Sequence, residues 1–181
     1  MKVLKIIPTA ALIALAGLVP VGAQDKDAKE AQKQAQEVTA AITNFKTDAD
    51  IAKWFNTAYG YAVFPSITKA AVVVGGAGGS GRVFEKGTYI GDVHVSQASI
   101  GAALGGESFA EVIFFETKPA LDKFKGSEWE MAAGMSAVAA TSGKSKDAKY
   151  TDGVAVFTQA KKGLMADVSV GGQKFKYTPK K

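Results

Sequence analysis

The chain has no cysteine, one histidine, one arginine and five prolines in 181 residues. Without thiols it can form no disulfide, no thiolate metal site, no cysteine nucleophile and no lipidated N-terminal cysteine. One histidine leaves few routes to a multi-histidine metal centre or to conventional acid–base catalysis. No P-loop pattern occurs anywhere. Composition therefore leans away from an enzyme. What is present is ordinary globular material, 47% hydrophobic and 22% charged, in a length that supports one domain with a helical extension.

The first 23 residues have the layout of a secretory signal peptide. Lys2 and Lys5 give a positive start, and Ala10 to Val19 is an uncharged apolar stretch. Pro20 and the small-residue run Val21-Gly22-Ala23 follow, before the chain turns polar at Gln24. Cleavage is expected between Ala23 and Gln24. A retained anchor is the competing reading, because Ile6 to Ala23 carries no charge, but that stretch is short for a span and holds Pro8 and Pro20. The expected product is periplasmic or secreted, with a helical segment over 24–47 and the main domain over 48–181.

Charge is unevenly placed. From Lys144 to Lys181 nine lysines face only Asp147, Asp152 and Asp167, a local net of +6. Residues 24–143 carry a net of −3. Such a split points either to a basic surface for an anionic partner or to a solvated tail.

Asp25 to Lys46 reads as a helix, because Ala28, Ala31, Ala35, Val38, Ile42 and Phe45 recur at three- and four-residue steps. The first half of that stripe is only alanine, which packs weakly. Thr47 is the expected cap of a second helix, with Ile51, Trp54, Phe55 and Ala58 on its apolar face and Gly60 as its stop. From Tyr61 onward, β-branched and aromatic runs alternate with glycine punctuation. Strands are predicted at 61–64, 70–74, 81–85, 88–96, 109–116, 154–159, 164–170 and 174–177. Turns are predicted at Lys86-Gly87, Asp152-Gly153, Lys162-Gly163 and Gly171-Gly172, with a short helix over Lys118 to Lys125. The fold class is α+β: an antiparallel sheet able to curl toward a barrel, N-terminal helices and one inserted short helix.

Two motifs suggest chemistry and fail on context. Gly76-Ala77-Gly78-Gly79-Ser80-Gly81 matches the dinucleotide pattern G-x-G-x-x-G, which needs a helix to follow it. Here Arg82 to Glu85 runs straight into Lys86-Gly87, so these glycines read as a turn or bulge where backbones approach closely, and no nucleotide is expected. Asp92, His94 and Ser96 have the composition of a hydrolase triad. Alternate residues on a strand stand roughly 7 Å apart, too far for the base to bond both partners, so this reads as a polar strand face. No metal-ligand set is visible, and no cofactor is expected.

The C-terminal lysines are better placed. Lys161 and Lys162 precede a turn, and Lys174 and Lys176 share one face of the last strand with Phe175 and Tyr177 behind. A terminal hairpin with lysines on one side suits phosphate contact. Lysine acts there as a mobile point charge, which favours lipid headgroups over base readout. The single arginine, Arg82, and the expected export argue against nucleic acid.

Several blocks together resemble the SYLF domain family: Tyr59-Gly60-Tyr61-Ala62-Val63-Phe64-Pro65-Ser66 and the glycines after it, then Phe114-Phe115 with Ala120-Leu121-Asp122-Lys123-Phe124, and finally Gly163 through Phe175. The resemblance spans Asp48 to Tyr177 in the right order. It implies a non-catalytic phospholipid-binding domain. Eukaryotic members bind phosphoinositides, some fungal members bind actin, and bacterial members are mostly exported. For an exported bacterial-type chain it implies an anionic phospholipid such as phosphatidylglycerol or cardiolipin, bound peripherally at a membrane surface. The candidate contacts are Lys69, Lys161, Lys162 and Lys174, with Lys176 on the same strand face and Arg82 in the glycine-lined region near Lys69. The alternative is an envelope structural or protein-interaction module using the same basic face without lipid specificity.

Overall fold

The computed structural model describes residues 21–70, 74–100, 107–126, 128–140, 145–162 and 170–180. These form three helices, α1 (Val21–Phe45), α2 (Ala49–Thr57) and α3 (Lys118–Phe124). They also form eight strands: β1 (Gly60–Ala70), β2 (Val74–Glu85), β3 (Thr88–Ile100), β4 (Glu107–Phe115), β5 (Trp129–Glu130), β6 (Val138–Ala139), β7 (Val154–Lys162) and β8 (Lys174–Pro179). All eight join one sheet in the order β5-β8-β3-β2-β1-β4-β7-β6, antiparallel except for the β6–β7 edge. The sheet curls into a half-barrel, so the fold is α+β as the sequence predicts.

Alternation along the strands divides the side chains between two faces. Ala62, Phe64, Val83, Val93, Val95, Phe109, Ile113, Phe115, Val156 and Phe175 point into the curl and pack with Leu121 and Phe124 of α3. The outer face is split. Over β1, β4 and β7 it is apolar, with Tyr61, Val63, Val112, Phe114 and Phe157 packed under Val38, Ala41 and Phe45 of α1 and Ile51 of α2. Fully burying a side chain such as Phe45 or Ile51 contributes about 1.5–3 kcal/mol. Trp54 and Phe55 pack half-buried against this layer, with ring centroids 5.8 and 4.8 Å from that of Phe114. Over β2, β3 and β8 the outer face is polar.

Helix α1 follows this division. Its predicted stripe is buried only in the second half, whereas Ala28 and Ala31 stay exposed and Ala35 half-buried. Alanine has too little apolar surface to hold a helix down.

Several expectations are corrected. Asp48, not Thr47, caps α2: its Oδ1 accepts from the backbone N–H groups of Asp50 (2.8 Å) and Ile51 (3.2 Å). Gly60 does not stop α2, which ends at Thr57. It opens β1, where a Cβ would sit 2.7 Å from the Phe84 carbonyl and 2.9 Å from Leu121. The glycines 76–81 form no turn but run inside β2. Close backbone approach is nevertheless the reason for two of them. A Cβ on Gly79 would lie 2.5 Å from the Ser66 carbonyl, and one on Gly81 2.4 Å from that of Val63, where β1 shifts register. Lys86-Gly87 and Asp152-Gly153 are tight turns with positive φ at both residues (48° and 79°, 51° and 78°). The predicted strand 164–170 lies outside the described residues up to 169, and Val170 is not in a strand. The predicted strand 70–74 has its ends in β1 and β2, and the rest of it lies outside the described residues.

The largest correction concerns the C-terminus. The expected hairpin partner of the last strand across Gly171-Gly172, 164–170, lies outside the described residues up to 169; β8 is flanked instead by β3 and β5, and β3, β2, β1 and β4 separate it from β7. β8 pairs with β3 and buries Phe175 against Phe64 and Phe124, contacts that pairing with β7 would forfeit.

Candidate anion-binding face

The antiparallel order brings the ends of β1, β3 and β7 and the starts of β2, β4 and β8 to one end of the sheet. Here the register makes a continuous row, Lys174–Ser96–Gly78–Thr68–Ser108–Lys162, one residue from each of six neighbouring strands. Lys69 lies one residue beyond the row on β1, and Lys161 one residue before Lys162 on β7. Four of the six predicted contacts thus gather at one end of the half-barrel. Lys162 and Lys174 are five strand steps apart, roughly 24 Å along the sheet at ~4.8 Å per step. They cannot grip one headgroup together. They form a line suited to a surface.

The individual lysines differ in their commitments. Lys161 and Lys174 are exposed, and Lys174 Nζ stands 3.8 Å from Glu130 Oε2, a solvated pair of little energetic weight. Lys176, two residues down β8, is exposed on the same face.

Arg82 sits deeper, its side chain 15% exposed. Its Nη2 donates to the Ala31 carbonyl of α1 (2.8 Å), its Nε lies 3.6 Å from Asp92 Oδ1, and its guanidinium covers the Tyr89 ring at 4.6 Å. Arg82 therefore pins α1 to the polar half of the sheet, beside a weaker bond from Gln34 Nε2 to the Gly81 carbonyl (3.4 Å).

Asp92, His94 and Ser96 share the outer face of β3, as the sequence predicts. His94 and Ser96 are exposed and Asp92 is half-buried against Arg82. The sequence reading missed what faces them across the strands. Ser80 and Arg82 of β2 stand on one side, and Lys174, Lys176 and Thr178 of β8 on the other. Matching i, i+2 polar alternation in all three segments was the available signal.

Also missed was Glu111, the one charge in the apolar run 109–115 of β4. It is fully buried on the inner face, where its Oε2 accepts from Gln173 Nε2 (3.1 Å). Among the described residues no group of three or more His, Asp or Glu side chains is placed to hold a metal. No helix among them is long and apolar enough to cross a membrane.

The family model described as "Las17-binding protein actin regulator" (Ysc84) matches residues 96–180. Beta cell expansion factor A of Aeromonas veronii is 33% identical over 156 residues, covering 83% of this chain and 58% of that protein. The chain thus spans under two thirds of that relative's length. The three sequence blocks, the matched segment and this relative converge: over residues 96–180 the chain matches the SYLF family.

Proposed function

We propose that the protein is a non-catalytic module that binds anionic phospholipid through the lysine-bearing end of its sheet, acting peripherally at a membrane in the periplasm or after secretion. The observation that carries this reading is the register row, which lines up Lys162 and Lys174 across six strands with Lys161 and Lys69 beside it. A line of separated cations matches a plane of headgroups better than a single small anion. The SYLF match supports it. The description of the family model as an actin regulator that binds a protein supports the second reading, in which the same face meets an acidic protein partner.

The test is vesicle co-sedimentation over a series of phosphatidylglycerol contents and salt concentrations. Each lysine near an anionic surface is worth on the order of 1 kcal/mol, and Lys174 sits farther from the Lys161-Lys162 pair than the ~10 Å screening length at 0.1 M salt. They should act additively. The triple variant Lys161→Glu, Lys162→Glu, Lys174→Glu should therefore lose at least about a hundredfold in affinity for anionic vesicles at low salt. Unchanged binding, or equal binding to neutral vesicles, would remove the lipid reading and favour the protein partner.

A further inference from the structure

Two residues below the lysine row, the outer face carries a second row. Ser80 of β2, His94 of β3 and Lys176 of β8 are register partners, all exposed, with Ser80 Oγ 3.4 Å from His94 Nδ1. The row beneath them is Arg82, Asp92 and Thr178. Where Gln34 of α1 overhangs this surface there is a cleft of about 250 Å³, lined by Gln34, Ser80, Asp92, His94, Lys176 and Thr178 among others.

Its chemistry is biased toward an anion. The ammonium, the imidazole, two hydroxyls and the Gln34 amide all offer hydrogen-bond donors. The one carboxylate, Asp92, already faces Arg82 at 3.6 Å, which offsets its charge. Lys176 has no carboxylate within 4 Å among the described residues, which leaves its charge uncommitted. Donors come from the floor of the sheet, from the β8 side and from the overhanging helix. Such a three-sided set fits a tetrahedral oxyanion better than a flat carboxylate.

We propose that this cleft is a binding site for a phosphate group, with Lys176 supplying the charge and Ser80, His94, Thr178 and Gln34 the hydrogen bonds. The site is separate from the lysine row and does not rest on the lipid reading. The phosphate could belong to a lipid headgroup or to a soluble phosphate, since both present the same oxygens.

His94 is the only histidine in the chain, so its imidazole gives a single, unambiguous reporter in a nuclear magnetic resonance titration. Inorganic phosphate, added at constant pH and ionic strength, should shift the ring signals saturably, while chloride should not. Lys176→Gln should weaken that response about fivefold, the loss of one cation facing an anion. Ser80→Ala should weaken it as well. Both positions are exposed, so the rest of the spectrum should hold. Phosphatidylglycerol vesicles form the second arm, compared with neutral vesicles. A response to phosphate assigns a soluble ligand, one to anionic vesicles alone assigns a headgroup, and one to both assigns the shared group. The Lys161→Glu, Lys162→Glu variant separates this site from the lysine row, because it should keep the His94 response to phosphate even where vesicle binding is lost. No saturable shift with either probe, or an undiminished response in Lys176→Gln, would overturn the proposal.

Discussion

The glycine series of β2 separates two explanations of one motif. If the glycines mark a nucleotide loop, their replacement should matter together. If they mark close backbone approach, each should matter only where a Cβ has no room. At Gly81 an added Cβ would stand 2.4 Å from the Val63 carbonyl and 2.8 Å from the Phe64 ring; at Gly79 it would stand 2.5 Å from the Ser66 carbonyl. At Gly78 the nearest atom is the Val95 carbonyl at 3.6 Å, an ordinary contact. Relief at Gly81 requires β1 to retreat by roughly 1 Å where Val63 pairs with Arg82, and a packed, hydrogen-bonded strand does not yield cheaply. Overpacking of this kind costs about 1–3 kcal/mol, and the backbone obstacle puts Gly79→Ala and Gly81→Ala at the upper end. Gly78→Ala should instead be neutral or gain up to about 1 kcal/mol, because alanine restricts the unfolded chain. Urea denaturation followed by circular dichroism would resolve the two groups. Gly81→Ala within about 0.5 kcal/mol of wild type, or Gly78→Ala as damaging as Gly81→Ala, would refute the argument.

Three further predictions concern stability and processing. Asp48→Ala should cost about 1–2 kcal/mol at neutral pH by removing the α2 cap and the acceptor for Ser145 Oγ (2.7 Å). The Ser145 hydrogen bond, with the Ile51 and Asp50 amides, holds the Asp48 carboxyl below its usual pKa of 3.8. Its contribution is present above that value and lost as pH falls through the lower folded one, so melting curves of variant and wild type should converge in acid. Burial, with Glu116 adding to it, pushes the Tyr150 phenol up to about 12. Its stabilisation is complete below pH 10 and lost on rising through about 12, so wild type should lose stability more steeply there than Tyr150→Phe; parallel alkaline unfolding curves would count against this. Finally, protein recovered from the cell envelope should have a mass that begins at Gln24, whereas a full-length mass in a membrane fraction would indicate a retained anchor.

Local signals in the sequence carried much of the fold. Periodicity located α1, α2 and α3, because a 3.6-residue apolar repeat has no other stable use in so short a window. Lys86-Gly87 and Asp152-Gly153 announced their turns, because positive φ at two successive positions selects such pairs. Alternation told which residues of β3 and β8 share a face. The tertiary structure decided what alternation cannot encode, namely which strand lies beside which. Placing β8 against β3 rather than β7 depends on Phe175 meeting Phe64 and Phe124, a contact between residues more than fifty positions apart. That one pairing set Lys174 in line with Lys162 across six of the eight strands. It also put Lys176 beside His94 and Ser80. The glycines of β2 could be read as sites of close approach from their context, but only the register shift in β1 shows that Gly79 and Gly81 need to be glycine while Gly78 does not. The charges were therefore visible in the sequence as an excess, and their arrangement into two rows is a property of the folded sheet, set by the burial of aromatic side chains on its opposite face.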